Sequence, residues 1–210
     1  MTVEYIECEQ GSEEWFRARM GIPTASEFST ILASGRGGAP SKGRQTYMLK
    51  LIGERMSGEP MESYSNAHME RGKAMEAEAR QSYAFIHEVE PKLVGFARNT
   101  TVCTGPIGAS PDSLIADAGT LEVKTKLPHL QLEVLLADAV PEEHVAQVQG
   151  QLLVSGREWC DFVSYWPNLP LFVKRVHRDE AYIKTLVSEL NRFHDEMLVL
   201  ETKIKQRWTA

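Results

Sequence analysis

The residues best placed to do chemistry lie between 105 and 126, in GPIGASPDSLIADAGTLEVKTK. An acid follows a proline (Pro111-Asp112), a turn spans 117–119, and Leu121-Glu122-Val123-Lys124-Thr125 comes next. In a β-strand alternate side chains share a face. Glu122 and Lys124 therefore share one face, and Leu121, Val123 and Thr125 point into a core. Asp112, across the turn, can meet that pair. Two carboxylates beside an ammonium suit a hard cation such as Mg²⁺, which takes oxygen ligands. An ion so held polarises a phosphoryl oxygen and makes hydroxide from water near neutral pH. The lysine would orient that water or neutralise charge building on the phosphate. The same spacing also suits a Pro-Asp turn followed by a strand with a surface ion pair. Glu-x-Lys also occurs at Glu90-Lys92 and Glu201-Lys203. Pro91 interrupts the first, which suits a central strand badly, and the other lies in a strongly helical stretch.

An anion site is suggested upstream. Ser12 reads as an N-cap, with Glu13 and Glu14 favouring the positive end of a short helix that Gly21 ends. Thr24 and Glu27 have capping-box spacing for a second helix running to about 34. Ser26 falls in its first turn, beside N–H groups without helical partners. Arg19 closes the previous helix and can reach the same anion. A serine in a first helical turn is also simply a common helix former.

A flexible basic loop follows at 35–43, then a helix over 44–57 with Tyr47, Met48, Leu51, Ile52 and Met56 inward and Gly58 as its cap. Over 67–86, Met69, Gly72, Glu76, Ala79, Tyr83 and Ile86 recur at helical spacing. Glu76 thus falls in an inward stripe, where a carboxylate needs a partner or a metal. Alternatively Met75 is the core residue and Glu76 lies at the stripe edge. Strands are predicted at 93–97, 101–104, 113–115 and 121–125. Helices follow at 129–138 and 141–155, with Pro141 in the first helical position. His144, Gln147 and Gln151 form a polar face on the second. Strands at 159–166 and 171–177 precede a long amphipathic helix over 179–206.

The 210 residues fit one domain, with no internal repeat. The 3 cysteines are scattered, which argues against a disulfide framework or Cys-x-x-Cys zinc sites, and the 6 histidines show no paired ligand spacing. No apolar run approaches the ~20 residues of a membrane span. The first residues carry acids where a signal peptide needs bases, so an intracellular protein is expected. The net charge of −6 does not exclude nucleic acid, because local fields matter more than totals. From 33 to 53 the chain carries Arg36, Lys42, Arg44 and Lys50 and no acid. That run reads equally as a DNA-facing patch or as a solvated loop.

An ordered set of motifs resembles the phage lambda exonuclease-like viral recombination nucleases, within the wider restriction-endonuclease-like group. The set comprises WFRARMG (15–21), TASE (24–27), GKAME (72–76), SPD (110–112), LEVK (121–124) and AQVQ (146–149). Each is weak alone; their shared order over most of the chain is specific. The resemblance implies an α/β fold of the restriction-endonuclease-like, PD-(D/E)xK type, a mixed sheet flanked by helices forming a single nuclease domain over 1–210. It implies a metal-dependent 5′→3′ exonuclease that digests one strand of linear double-stranded DNA from 5′-phosphorylated ends. The 3′ single-stranded tails left behind would serve recombination by strand annealing.

By the same resemblance, Asp112 and Glu122 are metal ligands with the Val123 carbonyl beside them. Lys124 is the catalytic lysine. Glu76 helps to bind metal and position water, and Gln147 lies near the attacking water. Arg19, Ser26 and Ser110 form a 5′-phosphate pocket. Met69 falls where the family has an apolar side chain at the DNA fork, suiting a wedge. Two Mg²⁺ ions per site are implied, with Mn²⁺ as an alternative. So are a toroidal homotrimer, a single-strand annealing partner, and a cytoplasmic setting in a bacterial cell carrying the phage or prophage. The rival readings are a non-catalytic DNA-end-binding ring or scaffold and a repair endonuclease of the same fold. An iron–sulfur version of the latter needs four cysteines.

Overall fold

The computed structural model describes residues 2–61 and 67–208, with the side chains of 67–71, 73 and 208 outside the description. Val3–Ile6 forms β1, which pairs antiparallel with β2 (Phe96–Asn99), itself paired antiparallel with β3 (Ile107–Ala109). A second sheet runs β4 (Ser113–Ile115), β5 (Gly119–Thr125), β6 (Trp159–Tyr165) and β7 (Phe172–His177). The β5–β6 pair is parallel and its neighbours are antiparallel. The helices are α1 (Glu13–Arg19), α2 (Phe28–Leu32), α3 (Lys42–Ser57), α4 (Ala67–His87), α5 (Pro128–Ala137), α6 (Glu142–Ser155) and α7 (Glu180–Trp208). None among the described residues is long and apolar enough to cross a membrane.

Both faces of the second sheet are covered, which explains the aromatic and apolar character of β6 on either side. Ala79 and Tyr83 of α4 pack on Leu121, Val123 and Val163. On the opposite face Val134 of α5 and Val148 and Leu152 of α6 pack on Cys160 and Phe162. A larger core joins α2, α3, α6 and α7 to the first sheet. The periodicity read for α7 holds: Ile183, Leu186, Leu190, Phe193 and Met197 are buried, with Leu200 and Ile204 half-buried against the same core. Gly150 lets α6 approach α2, since a Cβ there would stand 2.4 Å from a Phe28 ring carbon. The caps at Ser12 and Gly58 form as expected: Ser12 Oγ accepts from Trp15 N–H at 3.2 Å, and Gly58 takes a left-handed conformation.

Several expectations are corrected. The 101–104 stretch is not a strand. The Asn99 side chain accepts from Thr101 N–H, Thr101 Oγ1 and Val102 N–H, turning the chain out of the ladder that Ile107–Ala109 occupies instead. The predicted 93–97 strand shifts to Phe96–Asn99, and β1 was not predicted. The second helix does not run unbroken to 34: a 3₁₀ turn at Ala25–Glu27 precedes the short α2. Thr24 makes no cap hydrogen bond with its side chain, and Pro141 is the N-cap of α6 rather than its first residue. Met56 and Ile86 are exposed, and Met75 is buried.

Candidate active site

The β4–β5 hairpin sets the geometry. Asp112 N–H donates to Leu121 O at 3.1 Å, and Asp112 Oδ2 accepts from Val123 N–H at 2.6 Å. The acid of the Pro-Asp pair is thereby locked beside the middle of β5. Burial, then the charges of Glu122 and Glu76, push the Asp112 carboxyl well above its usual range.

Glu122 is 1% exposed and collects donors from two elements. Its Oε1 accepts from Lys124 Nζ and from Gln147 Nε2, each at 2.6 Å, and its Oε2 accepts from Gln151 Nε2. The expected shared face of Glu122 and Lys124 is therefore real, and α6 lays its two glutamines over it. Burial works against the Lys124 charge, but Glu122 and Asp112 outweigh it and raise its pKa. Glu76 reaches the same cluster from α4. Burial raises its pKa, Arg80 at 3.1 Å partly offsets this, and Glu122 adds to it. Arg80 Nη1 also reaches Asp112 O at 3.4 Å. Glu76 thus lies at the edge of the buried stripe and faces the acids, with Met75 taking the core position.

The second group joins α1 to the loop before β4. Trp15 and Arg19 sit at i and i+4, so they share a helix face. The Arg19 guanidinium lies 4.2 Å over the Trp15 ring, while Trp15 Nε1–H donates to Ser110 Oγ at 2.8 Å. Arg19 Nη2 donates to Thr24 Oγ1 at 3.1 Å, and Thr24 Oγ1 and Ser26 Oγ stand 3.2 Å apart. Arg19, Ser26 and Ser110 are thus linked into one chain of contacts through Trp15 and Thr24. The basis differs from the one expected: the turn at Ser26 is too short to act as a helix end, and hydroxyls with a guanidinium remain. An open cavity of about 1350 Å³, lined by Trp15, Arg19, Glu76, Arg80 and Asp112, runs from this group to the acids.

Met69 lies on α4, and its side chain is outside the described residues. Arg44 of the basic run is not at the surface. It is 3% exposed, paired with Glu196 and stacked 5.1 Å from the Phe193 ring centroid, and Arg36 stays exposed. Sequence reading gave no part in the site to Trp15 or Arg80, and read Thr24 only as a helix cap. The i, i+4 spacings of Trp15 with Arg19 and of Glu76 with Arg80 were the available signals.

Among the described residues no three acidic, histidine or cysteine side chains stand close enough, as placed, to hold an ion. Both Glu122 oxygens are taken by amides and an ammonium. The chemistry of the donors nevertheless fits a hard divalent cation: all are oxygen atoms, and burial first, then neighbouring carboxylates, raise the pKa of the Asp112 and Glu76 carboxyls.

A parallel β5–β6 pair with a carboxylate-and-lysine strand, covered by helices on both faces, defines a restriction-endonuclease-like fold. The YqaJ-like viral recombinase domain matches residues 14–158, and the chain belongs to that family. The alkaline exonuclease LHK-Exo of Laribacter hongkongensis is similar at 33% identity and a TM-score of 0.82, over 93% of this chain and 97% of that one. The same enzyme in complex with dAMP gives 34% identity and a TM-score of 0.83, with the same coverage. A phage-related exonuclease of Haemophilus somnus 129PT, at 12% identity and a TM-score of 0.57 over 85% of this chain and 95% of that one, bears on the fold alone. No curated protein matches the sequence significantly.

Proposed function

We propose that the protein is a metal-dependent exonuclease. It digests one strand of linear double-stranded DNA from 5′-phosphorylated ends and leaves 3′ tails for strand annealing. The observation that carries this is the meeting of Asp112, Glu122, Lys124 and Glu76 in one cluster, of which Asp112 and Glu76 line a cavity that Arg19 also lines. Family membership and the likeness to an alkaline exonuclease support the reaction class.

Asp112 and Glu122, with the Val123 carbonyl and Glu76, would hold Mg²⁺, two ions per site, with Mn²⁺ as a substitute. Such ions supply Lewis acidity to the phosphoryl oxygen and acidity to water. The chain's own residues do the rest. Lys124, kept charged by its carboxylate neighbours, stabilises negative charge growing on the scissile phosphate. Gln147 orients the attacking water, and Gln151 fixes Glu122 from behind. The Arg19–Ser26–Ser110 group holds the terminal 5′-phosphate and so registers the scissile bond. Met69 is the proposed wedge at the fork. Phosphate contacts carry no sequence information, so digestion is sequence-tolerant. A toroidal homotrimer would keep the enzyme on its substrate, and a single-strand annealing protein would receive the product.

Comparing degradation of linear and closed circular duplexes tests the reading. Loss of linear DNA only is expected; cleavage of circles would make the protein an endonuclease of the same fold.

A further inference from the structure

A second lysine lies along the catalytic strand. Lys126 follows β5, and its N–H still donates to Tyr165 O at 3.1 Å, so the ladder with β6 continues past Thr125. Strand alternation then puts Glu122, Lys124 and Lys126 on one face. α6 covers that face running in the opposite direction to the strand. Gln147 and Gln151 reach Glu122, and His144, one turn earlier, meets Lys126 Nζ at 2.9 Å. An ammonium can only donate, so His144 Nε2 is the acceptor and its proton sits on Nδ1. Burial first, and then Lys126 and Lys124, hold His144 neutral with a pKa of about 4. The ring is braced by stacking on Phe162 at 5.3 Å.

The other partner of Lys126 is Glu143, whose Oε1 lies 3.2 Å from the ammonium. The two differ sharply: the lysine side chain is 15% exposed and the glutamate side chain 64%. An acid that open to water contributes little as an ion-pair partner. The lysine is thus held on its inner side by a neutral imidazole and on its outer side by a carboxylate that a better anion can replace. Residues two apart on a strand are about 6.6 Å apart, comparable to the separation of neighbouring phosphates along a nucleic-acid strand.

We infer that Lys126 binds the DNA phosphate next to the scissile one, with His144 orienting its ammonium and Glu143 filling the phosphate's place in the DNA-free protein. This rests on the nuclease reading above and adds a second backbone contact to its site.

The test titrates wild type, Lys126→Met and Glu143→Gln with linear duplex DNA in EDTA at several salt concentrations, alongside thermal unfolding of each. Lys126→Met is expected to weaken binding uniformly across sequences and to flatten the salt slope by about one ion. Glu143→Gln is expected to act in the opposite direction, tightening binding severalfold, because a competing anion is gone. If both variants unfold earlier while DNA affinity and salt slope stay at wild-type values, the pair is only a tie between β5 and α6 and the inference is overturned. Failure of wild type itself to bind or cleave linear DNA would instead overturn the nuclease reading and this inference with it.

Discussion

Asp112 Oδ2 accepts the Val123 N–H at 2.6 Å, so the acid that precedes β4 is held by the residue between Glu122 and Lys124. With the Asp112 N–H bond to Leu121 O, this bond holds Asp112 against the strand that carries Glu122 and Lys124.

Asp112→Asn keeps an oxygen for that bond and removes the charge. Cleavage should fall by a factor on the order of 10³ or more, as loss of several kcal/mol of metal-linked stabilisation implies. The metal-free fold should become more stable at neutral pH. The sign follows from the raised Asp112 carboxyl, caused first by burial and then by Glu122 and Glu76. Above the ordinary carboxylate value of about 4, the unfolded chain has released a proton that the fold still holds, so wild-type stability falls as pH rises through the folded value. Thermal unfolding in EDTA across that range should show the variant unfolding later, by roughly 2–4 °C for each kcal/mol gained. The gap should close toward low pH. A gap that does not change with pH would mean that burial and the neighbouring carboxylates do not raise the Asp112 carboxyl as described.

Arg19→Ala should reduce discrimination between 5′-phosphorylated and 5′-hydroxyl ends, read as the ratio of digestion rates. Trp15→Phe keeps a ring under the guanidinium and loses the hydrogen bond to Ser110, so it should erode the same ratio less than Trp15→Ala does. Equal ratios in all three and in wild type would remove α1 from end recognition.

Which side chains meet at the candidate site was more legible in the sequence than the strand boundaries around it. Period-2 alternation alone put Glu122 and Lys124 together, and helix spacing set Gln147 and Gln151 side by side on α6. Which acid the glutamines face depends on how α6 crosses β5, which no local pattern encodes. The Trp15–Ser110 and Arg19–Thr24 contacts likewise join segments whose meeting only the assembled fold decides. Strand errors fell where local chemistry opposed propensity: β-branched Thr101 and Val102 read as strand, but the Asn99 side chain captures their N–H groups. The strand at Ile107–Ala109 has too little side chain to announce itself. Arg44 looked like part of a basic surface because its partners, Glu196 and Phe193, lie far away in sequence on α7.

Tyr83 ties α4, and hence Glu76 two turns earlier, to the second sheet. Its hydroxyl donates to Asp161 Oδ2 at 2.7 Å, and Arg175 donates to both oxygens of the same carboxylate at 2.8 Å. Burial opposes the Asp161 charge, yet the Arg175 and Tyr83 hydrogen bonds outweigh it and hold the carboxyl below its usual range. Tyr83→Phe should cost about 1–2 kcal/mol, since a buried carboxylate oxygen loses a donor. Urea unfolding should show a lower midpoint at unchanged slope. The loss should be greatest near neutral pH and shrink as pH falls through the folded value of Asp161.

The most direct test of the central claim uses linear duplex DNA labelled at a single 5′ or 3′ end, with and without a 5′-phosphate, in Mg²⁺ and in EDTA. The account predicts Mg²⁺-dependent release of mononucleotides from the 5′ end, faster on phosphorylated ends, with the complementary strand intact and no release by Asp112→Ala. Digestion from the 3′ end, internal nicking, or undiminished activity in EDTA or in Asp112→Ala would contradict it.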